Sequence, residues 1–264
     1  QGGRRPRGDD HHCWRRSGIR RGCVGQVVNA RPCPLTAIRS SGHRVTAARY
    51  ARREMVGPDA VLMTLVQAII ADDTATASRL LVASPTLASA RAKVGATRRA
   101  AEEYYLDEIE HYLYAGDTAL HVAAAGYRPE IIRLLAAMAA DVGAENRRGA
   151  QPLHYAVDGM PGSRTWNPPA QAETVRCLIE AGADPDATDK SGVTPLHRAV
   201  RTRCAAAVRA LLDGGADPRH TNRSGTTPMQ LAIWTTGRGG SGSPESKAQQ
   251  LEIVDLLERC GATR

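Results

Sequence analysis

One short phrase occurs four times along this 264-residue chain. It reads Gly116-Asp-Thr-Ala-Leu-His121, Gly149-Ala-Gln-Pro-Leu-His154, Gly192-Val-Thr-Pro-Leu-His197 and Gly225-Thr-Thr-Pro-Met-Gln230. Its glycines stand 33, 43 and 33 residues apart. Self-similarity at such a period points to a stack of small units, each burying its apolar face against its neighbours.

The residues around the phrase describe one unit. Asn146, Asp189 and Asn222 each sit three residues before a repeat glycine, where a short polar side chain can bond its own turn backbone. Thr118, Thr194 and Thr227 stand where a helix N-cap is needed, and Pro152, Pro195 and Pro228 suit the first helical position. A second helix follows, with apolar pairs at 3.6-residue spacing, as in Glu130-Ile-Ile-Arg-Leu-Leu and Glu252-Ile-Val-Asp-Leu-Leu. Gly182, Gly215 and Gly261 close these helices at the position that favours a left-handed residue. In the first full repeat that glycine is replaced by Ala139, so strain of about 1 kcal/mol is expected there.

A turn and two helices built on T-P-L-H-x-A at a period of 33 resembles the ankyrin repeat, closely over 116–264 and more loosely over about 59–115. The resemblance implies an all-α ankyrin-repeat solenoid of about five helix-pair repeats with short β-turn fingers. The repeats fall at about 59–92, 116–148, 149–191, 192–224 and 225–264, within a domain spanning 55–264. In that family the phrase histidine bonds neighbouring turn backbone, so His121, His154 and His197 are expected to be structural and not metal ligands or catalysts.

The repeats three and five carry extra residues between their helices, near 160–171 and 235–247. Trp166 among prolines suggests an ordered flap, whereas Gly237-Arg-Gly-Gly-Ser-Gly-Ser243 reads as a flexible tether. It lacks the lysine-threonine ending and preceding strand of a phosphate loop. The connection at about 88–115 holds Tyr104, Tyr105, Tyr112 and Tyr114. There Leu106, Ile109 and Leu113, at helical spacing, are expected to dock the segment onto the array, while the tyrosines cover the seam or offer binding area.

Charge is distributed unevenly. Residues 1–54 hold 13 arginines against Asp9, Asp10 and Glu54, while the remainder is slightly acidic. This leader reads as disordered or as a non-native extension, with Met55 as the expected start. If native, it could hold nucleic acid through phosphates. Asp10-His-His-Cys13 spells the active-site string of protein S-palmitoyltransferases, but those enzymes need membrane spans, and no stretch here approaches ~20 consecutive apolar residues. The spacing of Cys13, Cys23 and Cys33 matches no zinc site.

No serine elbow, H-E-x-x-H, paired carboxylates or strand-borne glycine loop occurs, so neither an enzyme nor a cofactor is expected. In the array only Cys177, Cys204 and Cys260 occur, an odd and unpatterned set that suits a reducing compartment. With no secretory leader, a cytoplasmic location is expected, and the excess of arginine over lysine hints at a GC-rich, bacterial genome.

Ankyrin arrays bind partner proteins with their finger tips and the concave side of each first helix. Mapped by the phrase, this puts Glu145, Arg147 and Arg148 on one finger, Thr188, Lys190 and Ser191 on the next, and Thr221, Arg223 and Ser224 on the third. Asp158, Arg201 and Trp234 map to the inner helices, and Tyr104 and Tyr105 are added from the connection. The set is mostly basic, which implies a protein partner that presents an acidic patch; the chain is expected to be a monomer. No membrane contact is expected, and nucleic acid only if the leader is native.

Overall fold

The computed structural model describes residues 58–234 and 243–263. The arginine-rich leader, with its Cys13 string, lies outside the described residues, as do residues 235–242 of the second insertion. Ten α-helices occur among the described residues, in five successive pairs. They are α1 (Pro58–Ile70) with α2 (Thr74–Ala83), α3 (Ala119–Ala125) with α4 (Pro129–Ala137), α5 (Pro152–Tyr155) with α6 (Pro168–Glu180), α7 (Pro195–Thr202) with α8 (Ala205–Asp213), and α9 (Pro228–Ile233) with α10 (Pro244–Arg259).

Each helix start is written locally. The Thr194 and Thr227 hydroxyls accept from the backbone N–H groups of His197 and Gln230. Asp73 and Asn167 cap α2 and α6 in the same way. Proline occupies the first turn of α4, α5, α6, α7, α9 and α10, where its missing N–H costs nothing.

The odd-numbered helices pack in an inner row and the even-numbered ones in an outer row. Equivalent positions are conserved in role along each row. Leu120, Leu153, Leu196 and Met229 are fully buried in the inner row, and Leu135, Leu178, Leu211 and Leu257 in the outer. Each such burial stabilises the stack by roughly 1.5–3 kcal/mol. Ala123, Ala156, Ala199 and Ala232 are also fully buried, and their small side chains let successive inner helices approach closely.

Gly182, Gly215 and Gly261 adopt φ of 97°, 95° and 82° after the outer helices. Ala139 holds the same left-handed position with φ of 55°, as its place in the repeat predicts.

Two expectations are corrected. The second insertion is shorter than the 235–247 read from composition, because α10 already begins at Pro244. The tyrosine-rich connection is no helix. A 3-10 turn (Glu102–Tyr104) leads into a hairpin of β1 (Tyr105–Leu106) and β2 (His111–Tyr112), pairing Tyr105 with Tyr112 and Leu106 with His111. Glu102, Glu103, Asp107, Glu108 and Glu110 would crowd like charge onto a helix. The hairpin separates them, places Glu110 at φ 50° in its loop, and sets the Tyr105 and Tyr112 rings 4.8 Å apart. Leu106, Ile109 and Leu113 nevertheless reach the core, each no more than 5% exposed.

Candidate protein-binding surface

The fingers are stitched to one another by side chains that the phrase fixes. Asn146 Oδ1 accepts from the N–H groups of Arg148 and Ala150 at 2.8 and 3.1 Å. Asp189 and Asn222 accept from the residues two and four further on in the same way. Neighbouring fingers then join through backbone. Arg147 N–H donates to Ala115 O at 2.9 Å, Lys190 N–H to Arg148 O at 3.1 Å, and Arg223 N–H to Ser191 O at 3.1 Å.

The phrase histidines form a second set of links. Nδ1 of His121, His154 and His197 accepts from the N-cap N–H of its own repeat at 3.1, 3.1 and 3.3 Å. Nε2 donates to the finger carbonyl of the next repeat, Ala150, Val193 and Thr226, at 3.0, 2.9 and 2.9 Å. Both nitrogens are thereby committed, with the proton on Nε2. Burial pushes all three imidazoles towards the neutral form, His154 down to about 4. Such rings have no lone pair left for a metal, and among the described residues no group of three His, Cys, Asp or Glu side chains is placed to hold one.

Four cations project from this framework. Arg147, Arg148, Lys190 and Arg223 are exposed, and among the described residues none pairs with a carboxylate. Arg147 and Arg148 lie over the Tyr114 ring, 5.5 and 5.1 Å from its centre. The Arg147 guanidinium also donates to Ala96 O, and Lys190 Nζ donates to Arg147 O at 2.8 Å. These neutral acceptors fix the stems without cancelling the charge. The outer helices differ: there Arg133, Arg176, Arg209 and Arg259 each face an acidic side chain.

The hairpin lies against the inner helices of repeats two and three. His111 stacks on Tyr155 with ring centres 4.3 Å apart, and its Nε2 lies 3.3 Å from Asp158 Oδ2. Ile109 packs on Gly126, where an added Cβ would come within 3.1 Å of its methyl. From the first insertion, the Arg164 guanidinium donates to Glu110 at 3.0 Å and to Asp107 O at 2.8 Å, while Thr165 donates to Glu110. Trp166 packs against the core, as an ordered flap requires. A cleft of about 250 Å³ lies where this flap meets the hairpin loop and the turn between α3 and α4, lined in part by Ile109, Tyr127, Arg128 and Trp166.

The residues singled out from sequence therefore divide. Glu145, Arg147, Arg148, Thr188, Lys190 and Arg223 are exposed on the fingers, Arg201 is exposed on α7, and Trp234 is 49% exposed at the end of α9. Asp158 is spent internally, between His111 and the Arg198 guanidinium at 3.2 Å. Tyr104 is corrected to a core residue, 8% exposed, because the turn before β1 directs its ring inward. Tyr105 is half-buried against Tyr112.

Sequence reasoning passed over the polar network beneath the hairpin. Buried Asp117 accepts from Tyr114 N–H at 2.6 Å, Asn146 Nδ2 at 2.8 Å and the Tyr155 hydroxyl at 2.9 Å. Arg198 bridges Asp158 and Asp189, each at 3.2 Å. Tyr155 and Arg198 both follow the phrase histidine, a position facing the inner surface, and that shared register was the available signal.

No helix among the described residues is long and apolar enough to cross a membrane. Residues 115–147 and 148–190 each match the ankyrin repeat family model, and residues 178–232 match the model for ankyrin repeats in many copies. No curated protein matches the chain. Ankyrin repeats generally mediate protein–protein interaction and are generally non-catalytic. The matched span, 115–232, takes in α3 to α8 and nearly all of α9, with the finger turns and histidine links described above, and this part of the chain belongs to the ankyrin-repeat family.

Proposed function

We propose that this protein is a non-catalytic interaction module that holds an acidic surface of a partner protein against its finger tips and the adjoining inner helices. One observation carries the reading: Arg147, Arg148, Lys190 and Arg223 stand exposed without a carboxylate partner among the described residues, whereas Arg133, Arg176 and Arg209 on the outer helices are paired. Unneutralised charge of one sign steers and orients a partner of the other. Trp234, half exposed at the far end of α9, supplies aromatic area of the kind that anchors interfaces.

The test is capture of partners by the full chain from nuclease-treated lysate, compared with a variant carrying Arg147→Glu, Arg223→Glu and Trp234→Ala. The expected result is a protein retained by the parent chain and lost from the variant, with both folded by circular dichroism. Retention by the folded variant would sink the assignment of this face. Capture that nuclease abolishes would transfer the function to nucleic acid and the arginine-rich leader.

A further inference from the structure

One acidic segment of the chain itself already lies against the inner helices, docked through His111. The hairpin and its approach carry Glu102, Glu103, Asp107, Glu108 and Glu110, and they cover the inner helices of repeats two and three. Tyr155 is only 3% exposed beneath it. The chain that leaves the hairpin reaches Tyr114, under Arg147 and Arg148. Beyond that point no element of the described chain crosses the fingers. Arg147, Lys190 and Arg223 occupy the same position on three successive fingers, one after the turn Asn146, Asp189 or Asn222.

Successive fingers are separated by the spacing of packed helices, roughly 8–10 Å. A polyproline II chain rises about 3.1 Å per residue and returns to the same face every third residue, so side chains at i and i+3 lie about 9 Å apart. A β-strand would turn i and i+3 to opposite faces. We propose that the partner contributes an extended, polyproline II-like acidic segment, with carboxylates at i, i+3 and i+6 set on Arg147, Lys190 and Arg223, in line with the hairpin. The carbonyls of Ala96 and Arg147 hold the first two cations in place and leave further N–H donors for carboxylates. This inference rests on the fingers being the partner surface.

The experiment is fluorescence anisotropy of the full chain with three labelled peptides. One repeats Asp-Pro-Pro three times, one gathers the three aspartates side by side in the same composition, and one repeats Lys-Pro-Pro. The spaced acidic peptide is expected to bind at least about threefold tighter than the clustered one, and the lysine peptide not at all. Replacing Lys190→Ala and Arg223→Ala together should erase the preference, since each exposed ion pair is worth up to about fivefold. Equal binding of the two acidic peptides, or no binding of either, overturns the proposed register. The capture experiment keeps the two readings separate. A partner lost from the triple variant, with no peptide preference, sinks this inference while the acidic-surface reading stands.

Discussion

Asp158 Oδ2 lies 3.2 Å from the Arg198 guanidinium, a contact that joins the third repeat to the fourth. The same oxygen is 3.3 Å from His111 Nε2, so the hairpin is tied to the array through a carboxylate that is already engaged. Arg198 turns its other side to Asp189 at 3.2 Å, so one guanidinium bridges a carboxylate of the inner surface and a carboxylate of the finger turn.

Burial would raise the Asp158 carboxyl, but Arg198 and His111 hold it down to about 2. A depressed carboxyl stabilises the fold above its ordinary value near ~3.9, and the contribution is lost as pH falls towards 2. Asp158→Asn is expected to cost roughly 2 kcal/mol at pH 7. The difference between variant and parent should shrink steadily below pH 4. Urea unfolding at pH 7, 4 and 3 checks this, and a difference that stays constant across the series would locate the cost elsewhere.

His154 acts in the same direction but in a higher pH window. Burial, aided by the charge of Arg198, lowers its imidazole to about 4, while the unfolded chain titrates near ~6.5. The unfolded state therefore binds the proton more readily between those values, and stability is lost as pH falls from about 6.5 towards 4. By pH 5 the loss at this residue is about 2 kcal/mol. His154→Gln should be less stable than the parent at pH 7.5, because Nε2 no longer donates to Val193 O at 2.9 Å, yet should lose less on acidification. Parallel slopes for parent and variant between pH 7 and 5 would rule this histidine out as a source of the pH dependence.

The array was legible in the sequence because each unit repeats its own instructions. Cap, proline, buried leucine and closing glycine recur at fixed offsets, and Leu120, Leu153 and Leu196 alone align three inner helices. The finger cations were legible for the same reason, one residue after each turn Asn or Asp. The hairpin was not. Leu106, Ile109 and Leu113 are spaced three and four apart, as on a helix, and a four-residue loop between short strands can place such residues on one side just as well. What decided between the two is tertiary: the face of Tyr155, the carboxylate of Asp158 and the Arg164 guanidinium, all distant in sequence. Tyr104 turned inward for that reason, and no local signal marked it.

Ala139 is a local defect with a simple remedy. It is exposed and holds φ at 55°, where Gly182, Gly215 and Gly261 serve α6, α8 and α10. A non-glycine residue in this conformation costs roughly 1–2 kcal/mol, part of which glycine gives back as chain entropy. Ala139→Gly is expected to stabilise the protein by about 0.5–1 kcal/mol. Differential scanning calorimetry should show a rise in Tm of a few degrees, and an unchanged or lowered Tm would mean that the turn bears no strain.

The hairpin should come away from the array as a unit. Leu106 and Ile109 are each 5% exposed and pack onto the inner helices, and Leu113 N–H donates to Tyr104 O at 2.9 Å. Truncating a well-buried Leu or Ile to Ala costs roughly 2–5 kcal/mol, which exceeds what the exposed Glu110–Arg164 pair can restore. With Leu106→Ala and Ile109→Ala together, hydrogen exchange of residues 102–113 should approach that of an open chain. Residues 195–213, covering α7 and α8, should keep their protection, because Leu196 and Leu211 are buried far along the stack by other contacts. If α7 and α8 lost protection in step with the hairpin, then hairpin and array would form one cooperative body. The half of the groove over repeats two and three could then open only when the whole array unfolds.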